Sequence, residues 1–420
     1  MDTKTIIETA EEHLIHTYNR YQIVLDKGDG VHLYDTDGKE YLDFGAGIAV
    51  FALGYNNKEY NDALKAQIDK LVHTSNYFYN EPAAKAAKML TKATGMDRVF
   101  FTNSGTEAVE GAIKLAKKYA YLKDGSTDHE IIAMEHSFHG RSMGALAVTG
   151  NKHYQEAFGP MIPGIRFAQY NNLESVKELV NEKTCAIIFE TVQGEGGVYP
   201  AKKEFIEGVR KLCDKYGILM ICDEVMAGFF RTGKWFAWQN FDFVPDMITF
   251  AKGVTCGYVQ LGGVIVNKRV ADYFEENVLQ CGLTYSGHTL ACAAGVAALT
   301  YYKEHNIEQH VAEMHEIVAP FMQKMVEKHK CVGEARCIGL FGALEMVKNK
   351  ETREPLQEYG VPGTAMPWIF AELKKRGFAT FGRENFIEVC PPLIITKEEL
   401  EEYLPILDEV LTMADEKFCD

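Results

Sequence analysis

Five places in the 420-residue chain put polar or reactive side chains directly after a short apolar run. Ile218–Cys222 ends in Asp223-Glu224-Val225, and Met247–Ala251 ends in Lys252-Gly253. An acid behind a continuously apolar run is costly to desolvate unless it meets a cation or a metal. A lysine in such a place is kept from water, which lowers its pKa, and a neutral amine attacks carbonyls. The bland alternatives are an Asp that caps the next element and a Lys that snorkels to the surface. Ile187–Glu190 runs into a glycine-rich loop, Thr191 to Gly197, so that Glu190 stands at its start and Glu195 on it, five residues apart; solvated acids on a turn have the same pattern. Ile131–Glu135 leads into His136-Ser137-Phe138-His139-Gly140-Arg141, where Phe138 and His139 either meet a planar ring or pack their own loop. Phe100–Asn103 leads into Ser104-Gly105-Thr106-Glu107 at a helix start. Its hydroxyls, free N–H groups and helix dipole suit a phosphate, and they also suit an ordinary cap.

Together the five places describe one ligand: a phosphate cradle, a stacking ring, an acid for a ring nitrogen and an amine for an aldehyde. That set is what pyridoxal 5′-phosphate requires. A metallohydrolase would need more histidines beside these acids, and the phosphate-loop string G-x-x-x-x-G-K-[ST] is absent.

The elements that must position these groups are strands Val99–Phe101, Ile131–Met134, Ala186–Phe189, Ile218–Cys222 and Met247–Phe250. Helical patterns at Thr106–Tyr121, Leu173–Val180 and Lys203–Tyr216 alternate with them. This alternation predicts a parallel α/β sheet covered on both faces, with ligands at the carboxyl ends of the strands. Nearer the start, Gly30–Leu33 and Glu40–Phe44 bracket the turn Asp35-Thr36-Asp37-Gly38, which predicts a hairpin. After Tyr301 come long amphipathic helices, Ile307–Lys328, Ala365–Arg376 and Lys397–Phe418, which predict a smaller α+β domain. The expected division is therefore a large cofactor domain over 56–305, with 1–55 joining 306–420 in the small domain.

Charge and composition narrow the partners. Lys+Arg number 44 and Asp+Glu 59, a net charge of −15. That argues against a nucleic-acid binder and against a protein held to anionic lipid by charge. None of the ten cysteines forms a C-x-x-C pair, so they read as small hydrophobes in a reduced compartment. No apolar run approaches the ~20 residues of a spanning helix, and Met1–Glu12 lacks a signal-peptide core, so the expected location is the cytoplasm.

The strings Thr102-Asn103-Ser104-Gly105-Thr106-Glu107-Ala108, Ser137-Phe138-His139-Gly140-Arg141, Gln193-Gly194-Glu195-Gly196-Gly197, Asp223-Glu224-Val225, Arg231-Thr232-Gly233, Ala251-Lys252-Gly253 and Thr284-Tyr285-Ser286-Gly287-His288 occur in this order along the chain. In them the chain resembles the class III pyridoxal-phosphate aminotransferases of fold type I. The resemblance implies a large α/β domain with a mostly parallel seven-stranded sheet flanked by helices, plus a smaller α+β domain. It implies that Lys252 bonds the cofactor's aldehyde and later moves a proton, while Asp223 holds the ring nitrogen protonated. Ser104, Gly105 and Thr106 would take the phosphate. Phe138 and Val225 would cover the two ring faces, with His139 and Glu190 in the same cofactor set. Thr284 would reach the phosphate of a neighbouring subunit, which implies a homodimer with shared sites. The substrate set would be Arg383, Arg141, Glu195, Tyr21 and Phe78.

The substrate reading is divided. Tyr41 to about Pro200, including Asn76-Tyr77-Phe78-Tyr79-Asn80-Glu81-Pro82, resembles the acetylornithine branch. The back half, with Asp223 to Phe229, Trp235-Phe236-Ala237 and Gly282 to Ser286, resembles taurine–pyruvate and other ω-amino-acid aminotransferases. Met226 replaces a Gln of the first branch, and Glu388 replaces the Arg that clamps an α-carboxylate there and pairs with Glu195. Arg383 matches an Arg of the taurine-type pattern. Phe230 stands where a Gly is usual. The expected activity is ping-pong transfer from an ω- or β-amino donor to pyruvate or 2-oxoglutarate. Such donors include β-alanine, 4-aminobutyrate, taurine and a carboxyl-masked amine. The alternatives are an acetylornithine- or ornithine-type aminotransferase, and an aminomutase or racemase, which needs no keto acid. Intact Lys252 and Asp223 speak against a protein that binds the cofactor without catalysis.

Overall fold

The computed structural model describes residues 1–419. Its central sheet has seven strands in the spatial order Arg98–Thr102, Gly262–Val266, Met247–Phe250, Leu219–Asp223, Thr184–Glu190, Glu130–Met134 and Ile165–Ala168. From Met247–Phe250 to the Ile165–Ala168 edge all pairings are parallel. Gly262–Val266 runs antiparallel to both of its neighbours.

The apolar runs end up in this sheet because both of its faces are covered. Every residue of Thr184–Glu190, Leu219–Asp223, Met247–Phe250 and Gly262–Val266 is buried. Alternate side chains serve opposite layers. Ile188, Ile221 and Val264 pack with Val109, Ala112, Ile113 and Ala116 of the Gly105–Asp124 helix. Phe189, Met220 and Ile248 face the other way, toward Phe205, Ile206 and Val209 of the Lys203–Tyr216 helix.

The five expected strands are present. Ile165–Ala168 and Gly262–Val266 were not anticipated. The first is an edge strand of mixed burial. The second opens with Gly262-Gly263, which reads as a turn. The sheet needs the glycine there, because a Cβ at 263 would lie 2.5 Å from the Phe100 carbonyl oxygen. Helices Lys203–Tyr216, Ile307–Lys328 and Lys397–Phe418 have the bounds that periodicity predicts. The last begins at a capping box, in which Thr396 and Glu399 satisfy each other's backbone N–H.

The expected hairpin forms as His32–Asp35 and Glu40–Asp43, extended by Leu25–Asp29. Glu40–Asp43 also pairs in parallel with Phe378–Ala379 from near the other end of the chain. Phe44 stacks on Phe378 with ring centroids 4.1 Å apart. Lys39 Nζ donates to the carbonyls of Lys374 and Lys375 across 335 and 336 residues of sequence. A further sheet carries Val332–Ile338, Phe341–Asn349 and Phe386–Val389. Among the described residues no helix is long and apolar enough to cross a membrane.

Candidate active site

Three strand ends lie in register. Glu190 pairs with Asp223, and Asp223 with Thr249, as neighbours across the sheet. This row is where strand-end chemistry collects. Both oxygens of the buried Asp223 are fixed: Oδ1 accepts from Thr249 Oγ1 at 2.8 Å and from the Val225 N–H at 3.1 Å. Oδ2 lies 2.7 Å from His139 Nδ1. Burial alone would lower the pKa of His139, but the Asp223 hydrogen bond and charge, with the charge of Glu190, hold it above its ordinary value. His139 thus braces the acid from behind, and its own Nε2 is buried without a hydrogen-bond partner.

Lys252 opens a short 3-10 turn just beyond Met247–Phe250, with φ of 47°. A positive φ at a lysine persists only where its surroundings over-determine it. Here its carbonyl accepts from the N–H of Cys256 at 3.0 Å. Burial lowers the amine's pKa, against the opposing charges of Glu195, Glu388, Asp223 and Glu190. An amine of this kind spends more of its time unprotonated and nucleophilic.

Ser104 does cap the Gly105–Asp124 helix, its Oγ accepting from the Glu107 N–H at 3.3 Å. The cap and anion readings therefore coexist, because capping by Ser104 leaves Gly105 and Thr106 at the helix mouth. Thr106 Oγ1 accepts from the N–H groups of Arg141 and Ser142 at 3.1 Å each, and lies 2.9 Å from Ser142 Oγ. Val225 packs on this mouth, so a Cβ at Gly105 would lie 2.8 Å from Val225 Cγ1. Glu190 spends both oxygens on backbone: Oε1 accepts from the Phe138 N–H at 2.9 Å and Oε2 from the Gly194 N–H at 3.0 Å. It locks the Phe138 loop to the glycine-rich loop. Burial pushes its carboxyl up to about 7, with His139 opposing and Asp223 adding to the shift.

Neighbouring Glu224 points the other way and is structural. Its carboxylate accepts from Thr191 Oγ1 and the N–H groups of Ala237 and Trp238 at 2.7–2.9 Å. Phe230 belongs to an aromatic cluster, 4.3 Å from Trp235 and 5.7 Å from Tyr302 between ring centroids. Met226 is buried beside Gly194, Val192 and Phe341.

On the substrate side the partner of Glu195 differs from expectation. With Glu388 in place of the clamp arginine, Glu195 was left without its partner, yet in the structure it makes an ion pair with Arg383 Nη1, 188 residues further along the chain. The partner comes from the loop before Phe386–Val389 rather than from that strand. Glu388, on the strand itself, is buried with Oε2 unpartnered. Burial raises its pKa, and Lys252, Arg383 and Arg231 oppose the rise. Arg141 lies against two rings, its Cζ 5.1 Å from the Phe138 centroid and 3.9 Å from that of Tyr154. Tyr154 was not anticipated, since no apolar run or motif string marks it.

Tyr21, Phe78 and Thr284 are not gathered with the rest. Tyr21 lies under Lys374, with Nζ 3.6 Å from its ring centroid. Phe78 and Thr284 are exposed, on segments joined by Asn76 Nδ2 donating to the Leu283 carbonyl at 3.1 Å.

Pyridoxal phosphate fits this arrangement. There is an anion-binding helix mouth cleared by a glycine, a doubly anchored acid at the next strand end but one, and a buried amine whose pKa is lowered. The family model for class III aminotransferases matches residues 15–411. An acetylornithine aminotransferase of Caldanaerobacter subterraneus subsp. tengcongensis is 39% identical over 97% of this chain and 99% of its own. One from Clostridium acetobutylicum is 38% identical over 95% and 99%. The solved taurine:2-oxoglutarate aminotransferase of Bifidobacterium kashiwanohense, in complex with pyridoxal phosphate and glutamate, superposes with a TM-score of 0.95 at 46% identity, covering 100% of this chain and 99% of that one. The chain belongs to the class III aminotransferase family, whose cofactor is pyridoxal 5′-phosphate.

Proposed function

We propose that this aminotransferase moves an amino group from an ω-amino donor with an anionic tail, of the taurine or β-alanine kind, to 2-oxoglutarate. The observation that carries the reading is the Glu195–Arg383 ion pair, with Arg141 nearby. A donor whose amino group sits on a CH2 brings no carboxylate beside the reacting carbon. Glu195 then stays on Arg383, and no partly buried cation is left bare. A dicarboxylic keto acid brings two carboxylates. One exchanges with Glu195 on Arg383; the other meets Arg141, which makes no ion pair with an acid among the described residues. Guanidinium groups bind carboxylates as two-pronged forks, which suits both places. Identity of 46% to a taurine:2-oxoglutarate aminotransferase supports the same assignment.

When bound, the cofactor supplies a ring that withdraws electrons from the carbon bearing the transferred nitrogen. The chain's residues do the rest. Gly105 and Thr106 would hold the phosphate, and Phe138 and Val225 the ring faces. Asp223, kept in place by His139 and Thr249, would face the ring nitrogen and favour its protonated form. Lys252, as a neutral amine, would bond the cofactor's aldehyde carbon, and it would carry the proton between the two carbons on either side of the transferred nitrogen. Donor and keto acid use the same Lys252 in turn, which gives ping-pong kinetics. The reading also makes the protein a homodimer. Tyr77, Phe78, Tyr79 and Tyr285 are large exposed apolar side chains close to Thr284, and a second copy would cover them.

A second reading, acetylornithine aminotransferase, is favoured by relatives 39% and 38% identical over nearly their whole length. Glu388 and Met226 speak against it. The test is a panel of taurine, β-alanine, 4-aminobutyrate and N-acetylornithine against 2-oxoglutarate and pyruvate, compared by kcat/KM. Taurine or β-alanine with 2-oxoglutarate should lead. If N-acetylornithine leads by a wide margin, the second reading replaces the first.

A further inference from the structure

We infer that Tyr154 is a positioning residue that makes the site select short dicarboxylates over monocarboxylates, by holding Arg141 and Arg383 against one aromatic ring. The inference rests on the acceptor reading above, and it concerns a residue that reaches the cofactor set only through the edge of Phe138.

Tyr154 lies on the short helix Lys152–Gln155. The Arg141 guanidinium carbon is 3.9 Å from its ring centroid and that of Arg383 is 5.2 Å away. The two cations therefore cannot be further apart than these two distances laid end to end, a spacing that the two ends of a short dicarboxylate can bridge. Left to themselves they would move apart. Burial, then the charge of Arg141, lowers the pKa of Arg383, so their repulsion is felt. A ring face carries negative charge density and attracts cations. Placed beside both guanidiniums, it offsets their repulsion and limits where each can go. Phe138 meets Tyr154 edge to face, centroids 6.2 Å apart and planes at 89°, which fixes the ring from another side. Glu195 supplies the countercharge at Arg383. A monocarboxylate needs one of the two cations and gains nothing from their spacing. A dicarboxylate needs both at once.

The helix does not depend on the Tyr154 ring for its place. Asn151 Oδ1 accepts from the His153 N–H at 3.1 Å, and Gln155 Nε2 donates to the carbonyls of Leu146 and Thr149 at 3.0 and 2.9 Å. Substitutions at 154 should therefore leave the fold intact.

The experiment compares Tyr154→Leu, which removes the ring, with Tyr154→Phe, which keeps it, in the cofactor-loaded enzyme. Calorimetry measures the binding of glutarate and of butyrate, neither of which can react. Turnover with one fixed donor gives kcat and KM for 2-oxoglutarate and for pyruvate. Y154L should bind glutarate about tenfold more weakly and raise the KM for 2-oxoglutarate by a similar factor. Its butyrate affinity, pyruvate KM and kcat should stay nearly unchanged, and Y154F should behave as wild type. The inference is overturned if Y154L leaves glutarate binding unchanged, if it weakens glutarate and butyrate equally, or if Y154F loses as much as Y154L. If the wild type prefers pyruvate in turnover while its glutarate binding still depends on the Tyr154 ring, the acceptor reading fails and the role of Tyr154 stands.

Discussion

Replacing Glu195 by Gln tests the exchange at Arg383 directly. In the wild type a keto-acid carboxylate must displace the Glu195 carboxylate from Arg383. Arg383 is 38% exposed and Glu195 19%. A buried charge-assisted hydrogen bond contributes about 1.5–3 kcal/mol. The exposure of Arg383 screens the pair, so about 1 kcal/mol is the reasonable figure here. At about 1.4 kcal/mol per factor of ten, E195Q should bind 2-oxoglutarate about fivefold more tightly. Donor binding should stay level or weaken, because Arg383 then lacks its countercharge when no carboxylate lies beside it. Acidity should imitate the substitution. Burial pushes the Glu195 carboxyl up to about 7, with Lys252 and Arg141 pulling it down and Glu388 pushing it up. Contact with Arg383 also favours the charged form, so the midpoint lies at or below about 7. As pH falls through it, Glu195 gains a proton and releases Arg383. In the wild type the dissociation constant for 2-oxoglutarate should therefore fall with pH, and in E195Q this dependence should vanish. Stopped-flow half-reactions followed at the cofactor absorbance, at pH 6 and pH 8, read both quantities separately for donor and acceptor. Weaker 2-oxoglutarate binding in E195Q, or an unchanged pH dependence, would refute the exchange.

Other outcomes follow from the same geometry. Lys252→Ala should abolish both turnover and the absorbance of lysine-bound cofactor; a variant that keeps either has another amine in that role. Gly105→Ala places a Cβ 2.8 Å from Val225 Cγ1. At about 1–3 kcal/mol for such overpacking, the cofactor should dissociate at least about fivefold more readily, as dialysis followed by visible absorbance will show. Buried Glu190 and Glu224 both have carboxyls pushed up to about 7, burial being the main cause. The folded state therefore keeps their protons longer than the unfolded chain does, and stability should fall as pH rises between the unfolded value of 4.5 and about 7. The raised pKa of His139 acts in the same sense above its ordinary value of 6.5. Calorimetry should give a lower Tm at pH 8 than at pH 6, and the reverse order would contradict the assignment of these buried acids.

The strand ends were legible because a buried parallel strand is apolar along its whole length, so the first charged residue after it stands out. Asp223, Glu190 and Lys252 were found in this way. Gly262–Val266 escaped because the close backbone approach that demands Gly263 also makes the string look like a turn. The Glu195–Arg383 pair escaped for a different reason: 188 residues separate its members, and neither lies on a periodic pattern. Tyr154 illustrates the same limit. Its neighbours in sequence, Lys152 and His153, are exposed, and only the fold brings its ring to two guanidiniums. Local chemistry can be read from order along the chain, whereas partnership across the site depends on which loops the small sheets bring over it.

The pairing of Glu40–Asp43 with Phe378–Ala379 has a consequence for the growing chain on the ribosome. Leu42 and Phe44 are completely buried in the finished protein, and Phe44 rests on Phe378. Lys39 finds its carbonyl acceptors only 335 residues later. At roughly 5–20 residues per second, the hairpin waits for tens of seconds with its apolar face unpaired. During that interval Leu42 and Phe44 present a sticky edge to whatever is nearby, including another nascent copy. The late arrival of Phe378 is thus both the closing step of this sheet and the moment at which the start of the chain becomes safe from aggregation.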